Sequence, residues 1–448
     1  MPCKTFNIIN FGCRATQADG AALEQAFLRE QFQKSDQWNG SDIVVINTCT
    51  VTHAADTEAR AMIRRVHREN PRARIVVTGC YAQRAPREVA AIEGVSSVFG
   101  NSHKHELVSI VARQEAKGTP FVHGMHTATP DASVYCSSIF ESQELRTIGD
   151  PGGGGRTRAV LKVQDGCSYR CSFCVIPQVR GDSRSLSPSE VVRQTRILLD
   201  QGHQEITLTG IHLGGFGRDL EPKQSLAQLV RILLREDRLL RLRLSSIEPL
   251  EYSEELIDLV AESPKMAKHF HVPLQSGSDR ILRLMRRPYT AEFYQRLVEK
   301  MRQRVPEAAI GADVMVGFPT ETDEDHQETI TLLNLAPMTY LHVFPYSARP
   351  GTPSALIQPG VANQAASRRS EELRGLANAK NRAFKRKFVG EQLEVLTLTW
   401  QPEEKFTPAL SSNYLKVAIA APAIAANQFK VVTVTGENSE GLCAEPVH

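Results

Sequence analysis

The sequence predicts an α/β protein in three parts: an N-terminal doubly wound parallel sheet, a central partial (β/α)6 barrel and a small C-terminal β barrel. Three observations carry this. Over residues 1–100 short apolar runs alternate with amphipathic helical stretches, the pattern of a parallel sheet covered by helices. Six further β/α units fill residues 158–350. After residue 386 helical periodicity stops, and strand-like runs separated by turns remain. The expected domains are 1–115, 158–367 and 386–448, joined by a linker at 116–157 and a basic helix at 368–385.

In the first part FNIIN, DIVVINT, RIVVTG and SSVFG read as strands, with ALEQAFLREQF, residues 54–68 and PREVAAIE as the helices between them. Cys13 follows the first strand, Cys49 the second and Cys80 the third. In a parallel sheet these ends share one edge, where such folds place their ligands. A single cysteine there reads as a small buried hydrophobe. Three of them predict a three-thiolate site.

The signal fades between 101 and 157, where Cys136 stands alone and DPGGGGRT reads as a flexible linker. The second periodic segment follows, with strands at AVLKVQ, EITLTG, LRLRLSS, KHFHVPL, AIGADVMVG and TYLHVFPY. Between them lie helices such as PSEVVRQTRILLDQG and SLAQLVRILLRE, the latter apolar at 226, 229, 230, 233 and 234. Immediately after the first of these strands QDGCSYRCSFCVIP places Cys167, Cys171 and Cys174 in a C-x3-C-x2-C pattern. A closed zinc site takes four ligands, normally as two pairs, and no second pair follows. Three thiolates suit a cubane iron–sulfur cluster with one iron open to a non-protein ligand. His271 and His342 fall inside strands and read as core histidines.

Residues 368–388 hold eight Lys or Arg and two Glu, then EQLEVLTLTW, YLKVAIAA and KVVTVTG form the strands of the last part. A basic helix leading into a small β barrel makes nucleic acid a partner to expect, and a tail that can be deleted at 386 without loss of the central chemistry. The net charge of +3 over 448 residues excludes nothing by itself. Nine cysteines in a chain this long are no secreted disulfide framework. With neither a signal-peptide start nor a membrane-length apolar run, a cytoplasmic protein without membrane contact is expected.

These blocks together resemble the radical S-adenosylmethionine methylthiotransferase family over essentially the whole chain. GCRATQAD, INTCTVT and TGCYAQ look like its N-terminal cluster-binding blocks, and VQDGCSYRCSFCVIP like its radical-SAM block. LTGIHLG, RLSSIEP, HVPLQSGSDRILRLMRRPYT, GFPTETDED and HVFPYSARPGT follow in the family's order. The last domain is similar to the family's RNA-binding TRAM module.

The resemblance implies two 4Fe–4S clusters and S-adenosyl-L-methionine as cofactors. Cys167, Cys171 and Cys174 would hold the cluster that binds and cleaves S-adenosylmethionine to give a deoxyadenosyl radical. Cys13, Cys49 and Cys80 would hold a second, which carries the sulfur to be inserted. Phe173 by the adenine, Thr209 and Gly210 at the end of the second barrel strand, and Glu248 and Gln275 at the third and fourth are the expected cofactor contacts. No catalytic side chain is expected beyond the cluster ligands. An external, flavodoxin-like electron donor is also implied. Two positions depart from the family: Thr16 stands where Asn is usual, and Thr320 where Gly is usual, which argues against a positive backbone angle there. Cys3 and Cys443 look like plain thiols.

Within the family QDGC and LTGIHLGGFG look most like the branch that makes 2-methylthio-N6-threonylcarbamoyladenosine beside the tRNA anticodon. An isopentenyladenosine in tRNA and an aspartate of a ribosomal protein are the alternative substrates. The threonylcarbamoyl group carries a carboxylate, so its pocket should include a cation; Arg180, Arg184 and Arg349 lie near strand ends. The competing reading from another class is a non-catalytic nucleic-acid-binding protein with structural metal, against which both missing fourth ligands argue.

Overall fold

The computed structural model describes residues 4–116, 132–141, 145, 157–400, 406–420, 424–438 and 441–447. Cys3 and most of the expected linker lie outside them.

The N-terminal sheet is parallel throughout, with strands β1 (Thr5–Asn10), β2 (Gln33–Lys34), β3 (Ile43–Thr48), β4 (Arg74–Gly79), β5 (Val95–Phe99) and β6 (Ser133–Tyr135) in the order β2-β1-β3-β4-β5-β6. The expected strands are all present. β6 corrects the linker assignment: three residues inside 116–157 extend the sheet, with Tyr135 stacked on Phe99 at 4.5 Å. Alternation along the strands sends side chains to two faces. Val44, Ile46, Ile75 and Val77 pack under α2 (His53–Glu69), α3 (Cys80–Arg84) and α4 (Pro86–Ala90). Phe6, Ile43, Val45 and Val76 pack under α1 (Arg14–Arg29) and α5 (Leu107–Ala116). Helices on both faces explain why these strands read as unbroken apolar runs. The chain leaves β1 for the edge strand β2 and returns to β3, so the winding direction reverses between β1 and β3. That is the ligand-binding position of a doubly wound sheet, and Cys13 and Cys49 follow those two strands.

The central domain pairs β7 (Ala159–Lys162), β10 (Glu205–Thr209) and β11 (Arg241–Leu244) in one parallel set, and β12 (His269–His271), β13 (Ala309–Val316) and β14 (Tyr340–Pro345) in another. A parallel bridge from Leu242 to Met266 links the two sets. Two short strands, β8 (Gln164–Asp165) and β9 (Arg184–Ser185), pair beside the first cysteine loop. Leu161, Ile206, Leu242, Phe270, Val314 and Leu341 belong to one large core beneath the outer helices α7 (Pro188–Asp200), α8 (Leu226–Leu233), α9 (Glu254–Glu262), α11 (Ala291–Arg304) and α12 (Asp323–Leu335). The opposite parity, which includes Lys162, Glu205, Thr209, Arg243, His271, Asp313 and His342, therefore lines the inside of the barrel. Two short helices, α6 (Ile176–Arg180) and α10 (Asp279–Leu284), follow the cysteine loop and β12. The helix α13 (Asn363–Arg386) packs along β14 and leads into a closed barrel of β15 (Gln392–Thr397), β16 (Thr407–Ser411), β17 (Lys416–Ile419), β18 (Phe429–Glu437) and β19 (Leu442–Pro446), in the order β15-β16-β17-β19-β18.

Two expectations about the tail change. Within α13, Arg368 pairs with Asp323, buried Arg369 with Glu321 and Asp323, and Arg386 with Glu437, while Lys380 reaches the carbonyls of Asn334 and Ala336. Part of its charge is thus spent inside the fold. The β barrel is also not a detachable module. Buried Arg243 donates to the carbonyls of Ser411 (3.1 Å) and Ser412 (3.0 Å), and Arg241 pairs with Glu394 at 2.6 Å. Tyr414 stacks on His269 at 4.6 Å and accepts from Arg14 at 2.9 Å, so all three domains meet at one phenol. Deleting the tail would strip partners from buried arginines, which argues against clean separability.

Thr320 does adopt the positive angle, φ 67°, contrary to expectation. Its N–H donates to the Pro359 carbonyl at 3.0 Å, and its own carbonyl accepts from Arg280 at 2.6 Å. Bonds on both sides of the residue hold it there.

Candidate functional site

Tight turns set the N-terminal trio. Gly12, at φ +94°, brings the chain so close to Cys49 that a Cβ would lie 2.7 Å from the Cys49 Cβ and 2.9 Å from its Sγ. Gly79, at φ +101°, lets the chain turn from β4 directly into α3 beginning at Cys80, where a Cβ would lie 2.3 Å from the Thr48 carbonyl. Cys49 and Cys80 are buried and Cys13 is exposed. The Cys49 thiol is pushed up to about 12, by burial first and then by the neighbouring sulfurs of Cys80 and Cys13. The close approach of Gly12, the residue before Cys13, to Cys49 sets these two cysteine-bearing turns side by side. Thr16 is buried with its hydroxyl 3.6 Å from Cys13 Sγ, so this departure from the family pattern faces a candidate ligand.

The second trio lies in the loop after β8. Burial, followed by the charges of Cys171 and Cys167, pushes Cys174 up to about 12. Cys171 is raised by burial and eased by Arg287, whose Nη1 lies 3.3 Å from its Sγ. His212 faces Cys167 and Glu251; burial would lower it, but those two neighbours raise it to about 9. Desolvated thiols with cationic neighbours suit a bound cluster, whose iron core supplies the positive charge that deprotonated sulfurs need. None of the described cysteines is disulfide-bonded. Of the other described cysteines, Cys136 sits near Gln83 and Gly100, and Cys443 lies in β19.

The segments that carry the trios pack together. Helix α3, which starts at Cys80, packs on α6, which follows Cys174; Cys80 shares a small cluster with Val175 and Val179. Arg180, 1% exposed, joins the two halves. Its Nε donates to Cys80 Sγ at 3.2 Å, its Nη1 to both Asp165 oxygens at 2.9 and 3.0 Å, and its Nη2 to Asp19 at 3.1 Å. Asp19 on α1 also binds Lys104 at 2.9 Å and Lys162. Burial would raise the Asp19 carboxyl, but Lys104, Lys162 and Arg180 hold it well below the usual range.

The expected cofactor contacts gather at the barrel strand ends. Gln275 is a buried residue at φ 68° whose Oε1 has no hydrogen-bond partner, an acceptor left for a bound donor. Glu248 is engaged by Arg287, with one contact of 3.2 Å from Nη1. A Cβ on Gly210 would lie 2.7 Å from Gln164 Oε1, so only glycine fits beside that amide. Thr209 is buried at the end of β10, and Phe173 packs against the cluster of Ile281, Met285, Met315 and Phe318. Sequence reasoning missed Arg180's contact with sulfur, Arg287 and His212. Only His212 had a usable signal, its place in LTGIHLG at the end of the second barrel strand.

The three arginines considered as candidates for the substrate cation, none of them assigned, each bond to other protein groups. Arg180 is engaged by Cys80, Asp165 and Asp19 as above. Arg349 is buried against Thr50 (2.9 Å) and Asp56 (2.5 Å), and Arg184 donates to the Arg180 carbonyl at 2.6 Å. The two core histidines are also reassigned. His271 and His342 stand on the barrel's inner face around Asp313, and the His342 side chain is 59% exposed.

The radical SAM superfamily profile matches residues 161–333, and that of an uncharacterized family, UPF0004, residues 5–100. A threonylcarbamoyladenosine tRNA methylthiotransferase of Bacillus subtilis is 36% identical over 91% of this chain and 88% of its own. One of Aquifex aeolicus is 37% identical over 91% and 94%. A tRNA-2-methylthio-N(6)-dimethylallyladenosine synthase of Thermobifida fusca is 31% identical over 88% and 78%. Among solved structures, the radical S-adenosylmethionine methyltransferase TsrM of Kitasatospora setae superposes with a TM-score of 0.56 at 19% identity, covering 79% of this chain and 74% of that one. This likeness is one of fold. No helix among the described residues is long and apolar enough to cross a membrane.

Proposed function

The chain belongs to the radical S-adenosylmethionine methylthiotransferases that act on tRNA, and from that premise we propose that it converts N6-threonylcarbamoyladenosine beside the anticodon to its 2-methylthio derivative. One observation carries the proposal: two three-cysteine sets in different domains, neither with a fourth cysteine among the described residues of its loop, lie on segments joined by the contact of α3 with α6. In this reading Cys167, Cys171 and Cys174 hold the cluster that S-adenosylmethionine completes, and Cys13, Cys49 and Cys80 hold a second. When bound, the first supplies the electron for reductive cleavage of the sulfonium and the second supplies sulfur, chemistry that side chains cannot perform alone.

The protein's own groups position and protect. Arg180 and Arg287 donate to ligand sulfurs, a contact that tunes reduction potential. Gln275 offers its unpaired oxygen to the cofactor, with Phe173, Thr209, Gly210 and Glu248 around it. Helix α1 packs on β7 and covers that edge of the barrel, which keeps water from the space between the sites. The target base enters unstacked, the form in which proteins usually read RNA in loops. The C-terminal β barrel adds RNA contacts, an external flavodoxin-like protein supplies electrons, and the enzyme works in the cytoplasm.

The test gives the anaerobically reconstituted enzyme two purified tRNAs, one bearing threonylcarbamoyladenosine and one isopentenyladenosine. Nucleoside mass spectrometry should find the methylthio product on the first. Activity on the isopentenyl tRNA alone would overturn the substrate, and activity only on a ribosomal protein would overturn the RNA reading.

A further inference from the structure

A carboxylate-bearing substrate needs a cation in its pocket, and the arginines nearest the cysteine sites are committed elsewhere. The inner face of the barrel offers another source. His271 at the end of β12, Asp313 in β13 and His342 in β14 converge from three adjacent strands, with one donor atom from each lying within 4.8 Å of the others. The Asp313 Oδ1 is 3.2 Å from His271 Nε2 and 3.1 Å from His342 Nδ1. Ligands about 2.0–2.2 Å from a common metal ion stand about 3–3.5 Å apart. Both separations to Asp313 fit that, and the two imidazole nitrogens lie within 4.8 Å of each other.

A second observation separates this cluster from an ordinary hydrogen-bonded triad. His342 Nδ1 is hydrogen-bonded to Asp313 at 3.1 Å, but His271 Nε2, buried and 3.2 Å from the same oxygen, has no hydrogen-bond partner. Its other nitrogen, Nδ1, meets Ser246 Oγ at 2.5 Å. Ligating histidines behave this way: one nitrogen faces the ion and the other is fixed by an outer partner. Leaving such a nitrogen buried and unpaired is otherwise costly.

The location suits the substrate. The Gln275 N–H donates to the Asp313 carbonyl at 2.8 Å, so the cluster adjoins a proposed cofactor contact. Below it His269 and Tyr414 close the barrel, and Arg14, the residue after Cys13, reaches that phenol. The cluster is thus reached from the Gln275 end of the barrel, and the largely exposed His342 side chain is open to a ligand.

We propose that His271, Asp313 and His342 bind a divalent transition-metal ion whose open coordination positions take the carboxylate and hydroxyl oxygens of the substrate's threonyl group. Two imidazoles and one carboxylate leave positions free and suit zinc, manganese or ferrous iron. A threonyl group offers two oxygen donors and an isopentenyl group none, so the ion selects between them. The selectivity part rests on the threonylcarbamoyl reading above; the metal site does not.

The test uses Mn2+ as the probe on full-length, anaerobically reconstituted enzyme, reading the electron paramagnetic resonance signal of free Mn2+ and needing no turnover. The wild type should bind about one Mn2+ per chain, and Asp313→Asn and His342→Ala should each weaken binding at least about tenfold. Cluster iron and the melting temperature of His342→Ala, whose side chain is largely exposed, should match the wild type, which separates lost ligation from lost folding. By linkage, N6-threonylcarbamoyladenosine nucleoside should tighten Mn2+ binding and isopentenyladenosine should not. A wild type that binds no Mn2+, or variants that bind it equally well, overturns the site. Indifference to the threonylcarbamoyl nucleoside overturns its role as substrate anchor. Neither result depends on which tRNA the enzyme methylthiolates.

Discussion

Replacing Glu205 with Gln should loosen the joint between the central barrel and the C-terminal one. Glu205 is fully buried in β10. Its Oε1 accepts from Arg243 Nε at 2.9 Å and lies 3.7 Å from Arg158, and its Oε2 is 3.4 Å from Arg241. Arg243 and Arg241 in turn hold the β16–β17 turn and Glu394 of the C-terminal barrel. Gln keeps the shape and removes the charge, leaving three guanidinium groups with little compensation. Breaking a buried pair in this way costs about 3–5 kcal/mol. At roughly 2–4 °C per kcal/mol for a domain of this size, the first thermal transition should fall by about 6–20 °C.

The acidity of Glu205 adds a second constraint. Burial would raise its carboxyl, but Arg243, Arg241 and Arg158 hold it below the usual value. A lowered folded value means the stabilisation is fully present above the unfolded value of about 4.3 and is lost as pH falls through the folded one. The gap between wild type and Glu205→Gln should therefore be flat from about pH 6 to 8 and narrow near pH 4. Anaerobic calorimetry over that range measures it. A drop below about 2 °C at pH 7, or a gap that widens toward acid, would refute the argument that this carboxylate holds the joint.

Three further outcomes are expected. Reconstituted protein should hold about eight irons, and replacing Cys167, Cys171 and Cys174 with Ala should leave about four and abolish S-adenosylmethionine cleavage; an iron assay reading zero would mean one shared site. Gly12→Ala should cost the N-terminal cluster its iron while cleavage persists, because the new Cβ meets Cys49 at 2.7 Å from a backbone at φ +94°; iron and cleavage assays on the same sample check this. Thr320→Gly should stabilise the protein by about 1 kcal/mol by relieving a non-glycine residue at φ 67°, read as a shifted urea midpoint.

The N-terminal strands were legible because burial on both faces writes them as apolar runs, the barrel strands because an apolar outer face alternates with a polar inner one, and the candidate ligands because cysteine spacing is local. What stayed hidden depends on tertiary environment. β2 and β6 are two and three residues long and largely exposed, so no periodicity marks them. Arg180 and Arg287 look in sequence like any surface arginine, yet each is buried against a thiol and a carboxylate. His271 and His342 read as core only while the barrel interior is ignored. Phe270, Leu341 and Val343 carry the outer core, and strand parity then sends both histidines inward. Thr320 shows the converse: its propensity was read correctly and was overridden by the bonds on either side.

Charge balance ties the two cysteine sites into one unit. At the joint Lys104, Lys162 and Arg180 face only Asp19 and Asp165, an excess of positive charge in a buried place. Arg180 directs its Nε donor at Cys80 Sγ. A neutral thiol there leaves the excess uncompensated, whereas a thiolate ligand removes it. The same arginine holds Asp165, two residues before Cys167, and Asp19 on the helix that starts beside Cys13. On the proposed reading, loading the N-terminal site should therefore stabilise the salt-bridge network that positions the barrel's own cysteine loop. This buried network and the α3–α6 contact join the segments that carry the two cysteine sets.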